Sequence, residues 1–414
     1  MQGLYQIAQL YIFLLFGVSV ILATGGLIYS IRMKRNKQEP LKDEDCPVIS
    51  VLVPAHNEEK VIYNTVKALL QFNYPKDKFE VIVINDNSSD NTKEELERAK
   101  KDCNANNLII INTDKITGGK GKSNALNLAY ARAKGEYIAV YDADNTAEPD
   151  ALRYLATKAM SNKKYGAVIG KFRTRNRNSN LLTRFINLET LSYQWVAQAG
   201  RWQTFGLCSI PGTNFIVKKE VVEKIGGWDP KAICEDTEIS FRIYHLGYKI
   251  AFMPKAVTWQ QEPETLKVWF KQRTRWCKGN MYVMAKFIKN IFKYKPSIVL
   301  FDIFYFSSIY FLFLLSLVIS DSVFILSLFK IIKINALAHS TLIWILLYVS
   351  FIIQIYVPVF REKGEFGLLN IILVPISYFT YCQLWVLVSI KSFVEFVIDI
   401  VGKREVKWYK TERF

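Results

Sequence analysis

The side chains of most obvious chemical use are carboxylates. Asp142 and Asp144 stand one residue apart in Tyr141-Asp142-Ala143-Asp144, directly after a short apolar run at residues 137–140. Residues i and i+2 of a strand project to one face. Two carboxylates held together are costly unless a cation compensates. A hard divalent ion, held by one or two carboxylates and by substrate phosphates, meets that need. A turn is the plainer account, since Asp and Asn (Asn145 follows) favour turns. Asp86, in Asn85-Asp86-Asn87-Ser88-Ser89-Asp90, and Glu58, in Val53-Pro54-Ala55-His56-Asn57-Glu58, follow earlier apolar runs. Acidic and amide groups there can accept hydrogen bonds from a nucleobase or ribose. Helix capping by Ser89 or Asp90 is the competing account.

Three further groups carry charge in suggestive places. Gly118-Gly119-Lys120-Gly121-Lys122-Ser123 invites comparison with a phosphate-binding loop, but Ile116 stands where Gly-x-x-x-x-Gly-Lys-Ser/Thr requires its first glycine. A flexible loop with two lysines can still reach a diphosphate, and Lys122, just before a helical pattern, is the better placed. A solvated basic loop is the alternative. Cys234-Glu235-Asp236 opens an amphipathic stretch ending at His245-Leu246-Gly247. An acid there is ordinarily dipole compensation, and Asp236 as a general base needs a cleft beside it. Gln272-Arg273-Thr274-Arg275-Trp276 lies in a helical pattern with Leu266, Trp269, Phe270, Cys277, Met281, Met284, Phe287 and Ile291 on one side and interspersed lysines. This reads as an interfacial amphipathic helix. Trp276 could be one more apolar anchor, or Gln272, Arg275 and Trp276 could face a polar cleft, Arg toward a phosphate and Trp toward a sugar.

The elements that must position these groups alternate. Residues 48–53, 79–84, 108–111 and 137–140 are short, β-branched and apolar, as strands buried on both faces should be. Helical patterns at 58–72, 91–102 and 123–134 lie between them. The alternation predicts an α/β domain with a largely parallel sheet, and ligands of such sheets sit at the carboxyl ends of strands.

The flanks differ in character. Residues 7–31 are almost wholly apolar, long enough to cross roughly 30 Å of hydrocarbon. No Lys or Arg precedes them, while Arg32, Lys34, Arg35 and Lys37 follow. That pattern identifies a signal anchor with its N-terminus outside, in preference to a cleaved signal peptide. Residues 36–46 read as a polar linker. Residues 297–320, 341–360 and 368–390 are each long enough to span. Residues 322–338, shorter and carrying Lys330 and Lys333, either cross or lie along the surface, so three or four C-terminal spans are expected. The 54 Lys and Arg against 37 Asp and Glu give a net charge of +17. Half the residues are hydrophobic, which excludes a disordered chain. The basic excess fits cytoplasmic flanks of membrane segments better than nucleic acid. The six cysteines form no Cys-x-x-Cys pair and only three histidines exist, so a structural zinc site is not expected. Dispersed cysteines read as reduced thiols facing a reducing cytosol.

The order Asp86, Asp142-x-Asp144, Glu235-Asp236 and Gln272-x-x-Arg275-Trp276 resembles that of the processive family 2 glycosyltransferases, which include cellulose, chitin, hyaluronan and poly-N-acetylglucosamine synthases. Pro263-Glu264-Thr265-Leu266, Trp269-x-Lys271-Gln272-Arg273-x-Arg275-Trp276 and the ending Trp408 to Arg413 are most similar to the poly-β-1,6-N-acetylglucosamine synthases. Two positions depart from the pattern: Cys234 replaces the usual Thr before Glu-Asp, and Asn87 the usual Gly after Asp86.

The resemblance implies a cytosolic GT-A domain, α/β in class, at residues 47–262. An N-terminal transmembrane anchor would occupy 1–35, interfacial helices 263–292, a transmembrane bundle 296–400 and a basic cytosolic tail 401–414. It implies that Asp86 contacts uracil or ribose, with Ala55 and Glu58 in the nucleotide pocket. Lys122 and Asp142 would meet the diphosphate, and Asp144, with Asp142, would hold Mg²⁺ or Mn²⁺. Asp236 would be the catalytic base. Glu235, Gly212, Thr213, Gln272, Arg275 and Trp276 would line the acceptor and diphosphate site. The implied enzyme is a multi-pass plasma-membrane hexosyltransferase, its catalytic domain cytoplasmic. It would build a β-linked biofilm exopolysaccharide from a UDP-sugar, N-acetylglucosamine being the sugar favoured, and help to export it. Its partners would be the UDP-sugar, the growing chain and the bilayer, with a small membrane accessory subunit left open and no nucleic acid. The alternatives are transfer of one sugar to a lipid carrier and a β-glucan synthase using UDP-glucose.

Overall fold

The computed structural model describes residues 2–35, 39–289, 298–333 and 340–402. The described residues form two compact units, one from 35–190 and 206–268, the other from 2–34, 191–205 and 269–402. Residues 191–205, inside the stretch 47–262 expected as one domain, thus group with the second unit.

The first unit is built on one sheet. Its strands are β1 (Ile49–Ala55), β2 (Phe79–Asn85), β3 (Leu108–Asn112), β4 (Tyr137–Val140), β5 (Thr146–Ala147), β6 (Tyr165–Thr174), β7 (Phe215–Lys218) and β8 (Lys249–Gln260). They lie in the order β3-β2-β1-β4-β7-β6-β8-β5. β1 pairs in parallel with β2 and β4, and β2 with β3. β7 runs antiparallel to both β4 and β6, and β8 parallel to β6. The four apolar runs expected as strands are therefore strands of one parallel set. Val51, Leu52, Val53, Val81, Ile82, Val83, Ile138, Ala139 and Val140 are fully buried, as strands covered on both faces must be; β3, at the edge of the sheet, departs from that expectation, with only Leu108 buried. β1, β2, β3, β4, β6 and β8 all end on one side, and β7 begins there.

Local chemistry moves some expected boundaries. The helix expected at 58–72 spans only Ile62–Leu70. Asn57 has φ of +54°, and the Glu58 carbonyl accepts the N–H groups of Val61 and Ile62 in a turn. The helix expected at 123–134 is Lys122–Tyr130, and the one at 91–102 is Thr92–Asp102. Asp90 caps that helix from two residues before its start, its carboxylate accepting the N–H and hydroxyl of Thr92, the first helical residue. Of the linker, residues 39–46 are docked by Arg153, which reaches the Leu41 carbonyl and the Asp43 carboxylate. None of the six cysteines, all among the described residues, is in a disulfide.

The second unit is helical. Gln2–Arg35 is one helix, and Gly3–Arg35 is the one helix among the described residues long and apolar enough to cross a membrane. Glycines bring it against the segment Tyr193–Phe205: a Cβ on Gly26 would collide with the Trp195 carbonyl, and one on Gly200 with that of Leu22. Small residues permit such close backbone approach. Arg201 donates to both carboxylate oxygens of buried Asp302, at 2.5 and 2.6 Å. Trp195 Nε1 donates to Glu362 at 2.8 Å.

The C-terminal stretches depart from three uninterrupted spans. Helical turns run from Ile298 to Leu328, with a π-helical segment at Ser308–Phe313, so Ser322 belongs to this helix and opens no separate one. Ser340–Arg361 is helical and contains Pro358. The expected span 368–390 is broken at Thr380 (φ −120°, ψ −82°) into Leu368–Phe379 and Tyr381–Val401. Residues 290–297, 334–339 and the tail 403–414, with the expectations placed on them, lie outside the described residues.

Candidate active site

The acidic groups of the first unit collect where the parallel strands end. Asn85 of β2 pairs with Ala55 of β1 and Asn112 of β3, which sets Asp86 between two neighbouring loops. Its N–H donates to the Ala55 carbonyl at 2.7 Å. Its carboxylate Oδ1 accepts from the Thr113 hydroxyl (3.0 Å) and the Gly119 N–H (2.9 Å). Asp86 therefore anchors the glycine-rich loop, and a Cβ on Gly118 would collide with both Asp86 and Thr113. His56 Nδ1 lies 2.6 Å from the Asp86 carbonyl, which places the proton on Nδ1. Glu58 is buried, its N–H donating to Thr92 Oγ1 at 2.7 Å.

Asp142 and Asp144 do not sit on a strand. β4 ends at Val140, and the Asn145 N–H bonds back to the Asp142 carbonyl at 3.1 Å to close a turn. The two carboxylates therefore owe their position to the turn, not to strand alternation. Thr65, from the helix Ile62–Leu70, donates its hydroxyl to the Ala143 carbonyl at 2.8 Å and fixes the turn from below. Asp144 is buried and accepts from the Asn145 side chain at 3.1 Å; the Asp142 side chain is one-third exposed.

β7 enters the sheet where β4 leaves it, with Phe215 opposite Val140. This register carries the preceding residues across to the turn. The Asp142 N–H donates to Thr213 Oγ1 at 3.0 Å. Residues 207–214 are in turn fastened to the helix Glu235–His245: the Cys208 N–H donates to Tyr244 Oη, and the Ile210 N–H to Ser240 Oγ. Glu235 and Asp236, in the first turn of that helix, are thereby delivered to the same place.

Lys122 is the centre of the cluster. Its ammonium lies 2.6 Å from Asp142 and 3.1 Å from Glu235, and donates to the Gly212 carbonyl at 2.9 Å. Burial opposes its charge, but Asp142, Glu235 and Asp236 outweigh burial and raise its pKa. Lys122 thus stays a cation. Asp236 Oδ1 accepts the Thr237 N–H at 2.7 Å. Its Oδ2 faces Gly212, where a Cβ would stand 3.0 Å away. Burial first, and then the adjacent Glu235 charge, push the Asp236 carboxyl up to about 7 against the pull of Lys122. A carboxylate with that pKa is poised to take a proton near neutrality.

Asp142 and Asp144 offer hard oxygen donors within one turn. The described residues hold no group of three His, Cys, Asp or Glu suited to a metal ion. Two carboxylates suit a hard divalent ion such as Mg²⁺ or Mn²⁺ only where phosphate oxygens or water fill its other positions.

The structure brings Ala55, Glu58, Asp86, Lys122, Asp142, Asp144, Gly212, Thr213, Glu235 and Asp236 into one unit. Gln272, Arg275 and Trp276 belong to the other, on the helix Leu266–Lys289. Trp269, Cys277, Met281, Met284 and Phe287 of that helix are buried, but Leu266 is exposed and Gln272, Arg273 and Thr274 are buried as well. Arg273 donates to Gln272 and stacks 4.3 Å from the Trp276 ring. Lys278 pairs with Asp399 and Glu395, and Trp269 Nε1 donates to Tyr381.

Sequence reasoning passes over Thr65, Asn127 and Asn214. Asn127 makes paired bonds to the Trp228 N–H and carbonyl, at 2.9 and 2.8 Å, ahead of the Asp236 helix. Gly212-Thr213-Asn214 carries a turn signal, Gly and Asn both tolerating positive φ, but nothing in it shows which strands the turn touches.

A mixed sheet with acidic loops at its strand ends defines a GT-A-like α/β glycosyltransferase fold. The mannosyltransferase PcManGT from Pyrobaculum calidifontis, solved with GDP-Man and Mn²⁺, shares the fold at a TM-score of 0.59 and 18% identity, covering 94% of this chain and 100% of that one. Residues 47–279 match the family described as Glycosyltransferase like family 2. The chain is 44% identical over 396 residues to the probable glycosyltransferase YdaM of Bacillus subtilis (strain 168), covering 95% of this chain and 94% of the relative. It is 31% identical over 285 residues to the poly-beta-1,6-N-acetyl-D-glucosamine synthase of Staphylococcus aureus (strain COL), 67% of each chain. The chain belongs to glycosyltransferase family 2 and is an enzyme that transfers sugars.

Proposed function

We propose that the chain is an inverting, processive synthase that builds a β-linked polysaccharide from UDP-N-acetylglucosamine at the inner face of a cell membrane. The observation that carries the chemistry is the meeting of Lys122, Asp142, Glu235 and Asp236 around the Gly212 carbonyl. Similarity to a poly-β-1,6-N-acetyl-D-glucosamine synthase supports the sugar and the polymer.

In this reading Asp86, with Ala55 and Glu58, receives the nucleoside, and Lys122 and Asp142 meet the diphosphate. Asp144 and Asp142 are the residues that would hold Mg²⁺ or Mn²⁺. When bound, such an ion offsets negative charge on the sugar diphosphate. A hydroxyl at the end of the acceptor is a poor nucleophile until its proton leaves. Asp236 Oδ2 takes that proton as the oxygen attacks C1 of the sugar, an effect typically of about 10²–10⁴-fold. The bond from C1 to the diphosphate oxygen breaks, and Lys122 lies where charge grows on the leaving group. Direct displacement with one base inverts the anomeric centre, turning an α-linked donor into a β-linked product. Gln272, Arg275 and Trp276 would bind the acceptor and cover the diphosphate.

The membrane reading rests on the helix Gly3–Arg35 and on the apolar helices after residue 298. These we assign to a multi-pass bundle giving the polymer a path outward, with the catalytic domain in the cytoplasm. The test is a donor screen on the purified chain with Mg²⁺ or Mn²⁺, followed by digestion with linkage-specific glycosidases. High-mass product from UDP-N-acetylglucosamine supports the reading. Product extracted wholly into organic solvent, with no high-mass material, would sink polymerisation.

A further inference from the structure

We infer that Asn214 is a positioning residue for this reaction, acting through the Gly212 carbonyl on Lys122. The inference rests on the roles of Lys122 and Asp236 proposed above.

Asn214 is wholly buried and adopts φ of +50°, a region few residues with a side chain enter. Its side-chain amide donates to two backbone carbonyls, Lys171 on β6 (3.0 Å) and Ala256 on β8 (2.9 Å). Its own carbonyl accepts the Gly170 N–H at 2.8 Å. Gly170 is required there, since a Cβ would collide with the Asn214 amide. The residue is thus tied to two strands at three points. Both amide bonds end on backbone carbonyls inside the sheet.

Asn214 ends a three-residue bridge whose other members touch the reacting groups. Thr213 accepts the Asp142 N–H, and Gly212, at φ of +86°, gives its carbonyl to Lys122 and its open face to Asp236. With two of three consecutive residues at positive φ, the path of the Gly212 carbonyl depends on where Asn214 is pinned. Other side chains of this size lack either the tolerance for positive φ or the two amide donors. The Asn214 amide is spent on Lys171 and Ala256, so its effect on Lys122 passes through the backbone.

The test is a double-mutant cycle in the full chain, using N214G, K122A and the pair, with UDP as the probe. Glycine keeps the positive φ and removes the amide. UDP affinity is measured by calorimetry with Mg²⁺ present, and turnover with radiolabelled UDP-N-acetylglucosamine. N214G is expected to weaken UDP binding about tenfold and lower kcat roughly 10–100-fold, the range for a small misplacement of reacting groups. In the K122A background the same change should alter UDP affinity by less than about twofold, because residues acting on one contact are not additive. Equal losses in both backgrounds, or wild-type kcat and UDP affinity in N214G, would overturn the inference. K122A with wild-type affinity and turnover would instead remove Lys122 from the site, and the reading of that residue fails first. If N214G does not fold, N214D serves in the same cycle, since Asp tolerates positive φ and has no amide to donate.

Discussion

Lys122 Nζ lies 2.6 Å from a carboxylate oxygen of Asp142, although the two residues come from a helix start and from a turn on different strands' ends. The pair joins the groups proposed to meet the diphosphate and excludes neither role. Lys122 has Glu235 and the Gly212 carbonyl as further partners, so Asp142 can turn toward a cation without leaving the ammonium bare.

Asp236→Asn should abolish turnover while UDP still binds. Asparagine keeps the size and can still accept the Thr237 N–H through its amide oxygen, but it cannot take a proton. The expected loss in kcat is about 10²–10⁴-fold, followed with radiolabelled donor, beside an unchanged UDP affinity by calorimetry. Full activity in the variant would take Asp236 out of the mechanism.

The pH dependence follows from the same carboxyl. Burial and Glu235 raise Asp236 to about 7, so below that pH the base carries its proton. kcat/KM should fall on the acid side along a limb centred near 7, and Asp236→Asn should remove the limb. For stability the sign is opposite. A folded-state pKa above the unfolded value of about 3.9 means the contribution is present at low pH and lost as pH rises through about 7. Denaturant unfolding should show Asp236→Asn gaining relative to the parent above pH 7.

Gly212→Ala should damage activity more than stability. A Cβ there meets Asp236 Oδ2 at 3.0 Å and Lys122 Nζ at 3.5 Å, on a backbone with φ of +86°. It would occupy the open side of the base where an acceptor hydroxyl must come. A loss in kcat of roughly 100-fold is expected, beside a stability loss of about 1–2 kcal/mol from the positive φ; unchanged turnover would show that the acceptor comes from elsewhere.

Chelation should stop the reaction, and Mg²⁺ or Mn²⁺ should restore it. Asp144→Ala should raise the metal concentration needed for half-maximal rate. Activity indifferent to EDTA would remove the metal role from Asp142 and Asp144.

Gly26→Leu should loosen the helical unit. The added side chain would strike the Trp195 carbonyl, and overpacking of this kind typically costs about 1–3 kcal/mol. Thermal unfolding in detergent measures it, and an unchanged midpoint would mean that the Gln2–Arg35 helix can slide away.

The sequence alone was enough for the α/β alternation and the four parallel strands, because strand and helical periods are written in local residue patterns. It also marked the apolar span 7–31, since length and composition decide that; the helix found there runs Gly3–Arg35. What it did not hold was how distant loops meet. In sequence, Asp142–Asp144 fits both strand alternation and a turn, and the end of β4 at Val140 decides for the turn. The span expected across 368–390 broke at Thr380, and residues 191–205 left the sheet unit for the helical one. Asn214 could not be singled out, because its two acceptors, Lys171 and Ala256, lie 43 and 42 residues away. Lys122 reaches Gly212 only because β7 enters antiparallel beside β4, a pairing made by the whole sheet. Local patterns choose elements; the register between elements far apart in the chain decides which carboxylate faces which cation.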